Sequence, residues 1–111
     1  MSNTIKEDKM APVVIDFTQR SSIDESWLKM FGEQIKMILK AMFGGIDIPL
    51  RVKGSSSDVR AFTTAMGREK RYIEALRHYG LDHPRTYRTK AELAKSVAEF
   101  QRKTGIKWPF K

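Results

Sequence analysis

The sequence predicts an α+β fold of order β-α-β-α-α, a short two-stranded sheet packed by three helices. Three observations predict it. Residues 27–43, WLKMFGEQIKMILKAMF, wind into a helix apolar over roughly 200° of its circumference, about twice the usual stripe. Two short runs, 11–17 and 48–53, alternate apolar and polar residues as strands do. Two further stretches, 58–79 and 90–104, carry apolar residues at helical spacing between glycine and proline stops.

Residues 1–10 are polar and read as a flexible arm before a single domain over 11–111. In APVVIDF, Val13, Ile15 and Phe17 alternate against Val14 and Asp16, and Pro12 suits a first strand position. Residues 18–22 make a polar turn. Ser22 and Glu25 have the spacing of a capping box, each side chain taking up a free backbone N–H of the first helical turn.

On the first helix, Trp27, Phe31, Ile35, Ile38 and Met42 line one stripe. Leu28 and Leu39 widen it on one side, and Met30, Met37 and Ala41 on the other. Glu25, Lys29, Glu33, Lys36 and Lys40 fill the narrow remainder with alternating charge. A helix so apolar must be covered on two sides, which makes it the expected centre of the architecture. Gly44-Gly45 stops it, since glycine takes the left-handed conformation at little cost.

In IPLRVK, Ile48, Leu50 and Val52 face one way and Arg51 and Lys53 the other. Pro49 points to an edge strand. With a helix between them the two strands can run parallel. So small a sheet is marginal unless helices cover it or another subunit extends it. Gly54-Ser55-Ser56-Ser57 leads into the second helix. It could hold an anion at the helix N-terminus, but the Walker pattern is missing and N-capping by a serine is the better reading. Gly80 closes that helix, and Thr89 with Glu92 reads as a capping box for the third.

There are 111 residues, no cysteine and a net charge of +8. No disulfide framework or cysteine metal site is available, which fits a reducing compartment. Neither a secretory h-region nor an apolar run of membrane-spanning length occurs. These features read as a soluble intracellular protein. The charge is uneven: residues 1–50 hold six basic and seven acidic side chains, and residues 51–111 hold fifteen and six. That asymmetry points to a polyanionic partner or to a generally basic surface.

The second helix places Val59, Phe62, Met66, Ile73 and Leu76 on one face and Arg60, Thr64, Arg68, Arg71 and His78 on the other. With Arg51, Lys53, Arg85 and Arg88 nearby, and tyrosines at its border, this is equipment for phosphate contacts and base stacking. The competing reading is a solvated helix face. Glu69 is out of place in the apolar arc, so it must be paired or hydrogen-bonded, or its pKa must rise. A catalytic acid is one reading. A structural tie to Arg85, Lys90, Lys107 or the Trp108 indole is the other, and the better one. Glu74 and His78 have metal-compatible spacing without an evident third ligand. No nucleophile elbow is present. No cofactor, no metal and no enzymatic activity are expected.

The third helix carries mixed charge outward, and a connection of about nine residues separates it from the second. Both features argue against a DNA-binding helix-turn-helix. The tail, Trp108-Pro109-Phe110, is a core plug or a docking peptide. The methionines of the first helix suit a core gap or an adaptable binding surface.

The stretches EKRYIEALRHYGL, PRTYRTKAEL and TGIKWPFK lie in the last sixty or so residues, from VKGSSSDVRAF onward. This part resembles the C-terminal part of small, mostly uncharacterised proteins of large tailed bacteriophages. The resemblance implies a phage setting, as a virion component or an accessory protein in the host cytoplasm, and supplies no active site. The favoured function is therefore a non-enzymatic assembly component that binds a protein partner or self-associates as a homo-oligomer. Its interface would use Trp27, Met30, Phe31, Met37, Trp108 and Phe110. The alternative is nucleic-acid binding through Arg51, Lys53, Arg60, Arg68, Arg71, Arg85 and Arg88. No membrane partner is expected.

Overall fold

A computed structural model describes residues 12–18 and 24–110. The fold is α+β, in the order β1 (Val13–Asp16), α1 (Glu25–Gly44), β2 (Leu50–Lys53), α2 (Ser56–Tyr79) and α3 (Pro84–Thr104). The chain divides into two compact units, Met1–Lys53 and Gly54–Lys111. The N-terminal arm lies outside the described residues.

In the first unit β1 and β2 pair in parallel, Val13 opposite Leu50 and Ile15 opposite Val52. The Val13 N–H donates to the Pro49 carbonyl at 2.9 Å and the Phe17 N–H to the Lys53 carbonyl at 2.8 Å. Val13, Ile15 and Phe17 are buried while Val14 faces out, as the alternation predicts. β2 starts at residue 50 rather than 48. Pro49 has no N–H to extend the ladder, though its carbonyl still accepts. The expected apolar face of β2 is only partly covered, with Ile48 and Val52 half-buried and Leu50 exposed.

α1 is capped by Asp24, whose Oδ1 accepts the Trp27 N–H at 2.9 Å. This corrects the expected capping box. Glu25 is already the first helical residue, so it cannot occupy the third position the motif requires, and Ser22 lies outside the described residues. Gly45, at φ +69°, ends the helix, and its N–H donates to the Ala41 carbonyl. Phe31 and Ile35 are fully enclosed, and Phe31 stacks on Trp27 at 5.1 Å and meets the Phe17 edge at 5.9 Å. The apolar arc is not closed on both sides, however. Met30 and Met37 are half exposed, and Met42, expected in the central stripe, is 41 % exposed at the helix end.

In the second unit Ser55 caps α2, its Oγ accepting the Asp58 N–H at 3.1 Å. α3 begins at Pro84, six residues earlier than the Thr89–Glu92 spacing suggests. Proline at the first helical position loses nothing, because that N–H has no intrahelical partner. His83 Nδ1 caps the Arg85 N–H at 3.1 Å. Thr89 is already helical and donates to the Thr86 carbonyl at 2.9 Å. Glu92 pairs across to Arg68.

The connection is therefore residues 80–83, shorter than the nine expected. Loop length no longer argues against a helix-turn-helix, but packing does. Phe62 meets Phe100, Arg68 meets Glu92, Ala75 meets Thr86, and Tyr79 meets His83. Each step down α2 matches a step up α3, so the helices lie antiparallel along their length as an αα-hairpin. They do not cross steeply as in the DNA-binding motif. Thr86, buried, donates from Oγ1 to the Gly80 carbonyl at 2.7 Å and fixes the turn.

The tail closes this unit. Trp108 is 5 % exposed and packs edge-on to Phe100 at 5.2 Å and tilted to Phe62 at 6.2 Å. Its Nε1–H donates to Glu69 Oε1 at 2.9 Å. Glu69 is 5 % exposed, and this is the structural tie its misplaced charge demands. Burial pushes its carboxyl above the ordinary glutamate range, and the indole bond offsets only part of that.

Candidate polyanion interface

The cations expected to bind nucleic acid fall in two places. Arg51 and Lys53 are exposed on β2 of the first unit. Register sets Lys53 opposite Asp16, whose carboxyl is held below the usual range by hydrogen bonds from the Thr18 hydroxyl and N–H, with Lys53 adding to them. Arg60, Arg71 and Arg85 line hollows on the α2–α3 hairpin of the second unit, Arg68 pairs with Glu92 across the two helices, and Arg88 is exposed on α3 and lines neither hollow.

The flank that the hollows mark is a shallow groove in two stretches. Near the open end of the hairpin a hollow of about 360 Å³ is lined by Arg60, Thr64, Lys95, Ser96, Glu99 and Lys103. Near the turn a hollow of about 330 Å³ is lined by Arg71, Glu74, His78, Tyr79, Arg85 and Thr89. Helical periodicity makes them one strip: 60, 64, 68, 71 and 78 recur at three, four or seven residues on α2, as do 85, 89, 92, 96, 99 and 103 on α3.

The acids on the strip are each matched. Glu92 bonds Arg68 at 2.9 Å and Glu74 bonds Lys70 at 2.9 Å. Glu99 holds Arg102 at 2.7 Å and Lys103 at 3.3 Å, and those bonds keep its carboxyl below the usual range. Arg60, Arg71, Arg85 and Lys95 have no carboxylate within ion-pair distance among the described residues. Arg85 is held in place, with its guanidinium over the Tyr79 ring at 5.3 Å and Nη1 donating to the Tyr79 hydroxyl at 2.6 Å.

The mixed charge of α3 hides this in the sequence. Lys95, Ser96 and Lys103 belong to the groove and are not among the site residues the sequence points to. The signal for them is Glu99 followed at three and four residues by Arg102 and Lys103, which cancels the acid and leaves the lysines in excess.

The expected protein-contact residues also separate. Phe31 and Trp108 are interior and offer no surface, whereas Trp27 and Phe110 are half-buried. Met30 and Met37 stand out on one side of α1. Gln34 lies between them and donates from Nε2 to the Val14 carbonyl at 3.0 Å, so this side of α1 borders the β1 backbone.

Among the described residues no three histidine or acidic side chains are grouped to hold a metal ion. Among them, too, no helix is long and apolar enough to cross a membrane. Comparison with protein-family models, curated proteins and solved structures finds no match to this chain.

Proposed function

We propose that this chain is a non-enzymatic binding protein of phage type that grips a nucleic-acid backbone along the α2–α3 flank. One observation carries the reading: four cations without a carboxylate line a groove whose own acids are all neutralised. An ordinary solvated helix face balances its charges locally, and a surplus concentrated on one flank is the footprint of phosphate binding. The resemblance of the last sixty residues to tailed-phage proteins supports a setting in the virion or the host cytoplasm.

A second reading rests on the first unit. Met30 and Met37 are exposed, apolar and adaptable on one side of α1, beside β1, which suits an assembly contact with a protein partner or a second copy.

Molar mass in solution separates the two, measured at 50 and 500 mM salt with and without a mixed-sequence DNA duplex. The flank reading expects a protein–duplex complex at low salt that dissociates at high salt. An apolar self-contact gives a raised mass without DNA that survives high salt. Unchanged mass on adding duplex at low salt contradicts the flank reading.

A further inference from the structure

We infer that the flank holds double-stranded nucleic acid through its phosphates alone, at two stations toward opposite ends of the hairpin. This rests on the nucleic-acid reading above and adds the form of the ligand and the mode of contact.

The two hollows are the stations. In one, Arg60 and Lys95 converge with the Thr64 and Ser96 hydroxyls. In the other, Arg71 and Arg85 converge beside His78, with Thr89 lining the wall and its hydroxyl already donated to the Thr86 carbonyl. Each offers cations for a phosphate charge and donors for its oxygens. Arg60 and Arg71 are about 16 Å apart along α2 at 1.5 Å per residue. Between the stations the Arg68–Glu92 pair bridges the helices and cancels its own charge.

Single-strand binders add aromatic platforms on which unpaired bases stack. The two hollows have none to spare. Tyr79 is the one tyrosine that lines either of them, and that ring is stacked on His83 at 4.4 Å, abutted by His78 at 4.6 Å and covered by the Arg85 guanidinium, while Tyr72 of α2 is half-buried and lines neither. Phe62, Phe100 and Trp108 are inside the unit. Tyr87 is exposed but sits two residues beyond Arg85, on another side of α3, with its hydroxyl donated to Asp82. Nothing rewards an unstacked base, so charge density decides. A duplex, with one charge per roughly 1.7 Å, outbids a single strand of the same length.

The test is fluorescence anisotropy of a labelled mixed-sequence duplex of about 20 base pairs, and of its isolated single strand, titrated with the full chain between 50 and 200 mM salt. The duplex is expected to bind at least tenfold tighter. Four phosphates neutralised give a log–log salt slope near −3.6, a loss of roughly 100-fold over that range. The pair Arg60→Gln/Lys95→Gln and the pair Arg71→Gln/Arg85→Gln should each flatten the slope by about 2. Thermal melts should be unchanged, and Arg71→Gln alone serves as control should the loss of the Tyr79 contact disturb the turn. Equal or tighter binding of the single strand overturns the duplex assignment while leaving nucleic-acid binding standing. A slope change confined to one pair overturns the two stations. No binding to either probe overturns the underlying reading itself.

Discussion

Alanine in place of Trp108 is expected to destabilise the second unit by about 3–5 kcal/mol, read as a lowered urea midpoint of the helical signal in the full chain. The indole fills the space between Phe62 and Phe100, and its edge-to-face contact adds to simple area burial. Its backbone N–H is also fixed, donating to Gln101 Oε1 at 3.0 Å. Within the second unit the two antiparallel helices face each other, and the tail covers the Phe62–Phe100 contact between them. Against a typical total of about 5–15 kcal/mol, such a loss leaves little. A midpoint shifted no more than by an exposed substitution such as Lys107→Ala would show that the tail is a detachable peptide rather than part of the core.

Glu69 carries the second large effect, and its sign depends on pH. Glu69→Ala leaves the buried Trp108 N–H without an acceptor, at a cost of about 1–3 kcal/mol. Glu69→Gln keeps a carbonyl oxygen in reach and removes the charge. In the wild type the native carboxyl holds its proton more tightly than the unfolded one, because burial raises its pKa. The native state therefore binds more protons in that window, and stability falls as pH rises from the ordinary glutamate value through the raised native value. Asp16 and Glu99 are shifted the other way and lose stabilisation as pH falls, so the comparison must be between variants and not along one curve. Wild type and Glu69→Gln should be close in acid, with the glutamine variant gaining as pH rises toward neutral. Urea titrations at several pH values measure this. A difference that does not vary with pH would mean that Glu69 is charged and comfortable in place.

Much of the fold is legible in local pattern. Alternation marks β1, the paired glycines stop α1, and a lone carboxylate in an apolar arc announces its tie to the tail. What escapes the sequence depends on partners distant along the chain. Thr89 and Glu92 have capping spacing, yet Pro84 and His83 start the helix upstream, and Glu92 is spent on Arg68. The width of the apolar arc on α1 suggests full cover, but periodicity does not say how many neighbours a helix meets, and Met30 and Met37 remain half exposed. Of the candidate site, the arginines of α2 could be read directly. On α3, Arg85 could be read as well, but Lys95, Ser96 and Lys103 could not, because the acids around them count as charge in a sequence and as neutral pairs in the folded hairpin.

The most direct test of the flank reading is a map of backbone amide chemical shifts as the mixed-sequence duplex is added to the full chain at low salt. The largest changes are expected at Arg60, Thr64, Arg71 and His78 on α2 and at Arg85, Thr89, Lys95, Ser96 and Lys103 on α3, fading as salt is raised. Changes centred on Val14, Met30 and Met37, or spread evenly over both units, would contradict it.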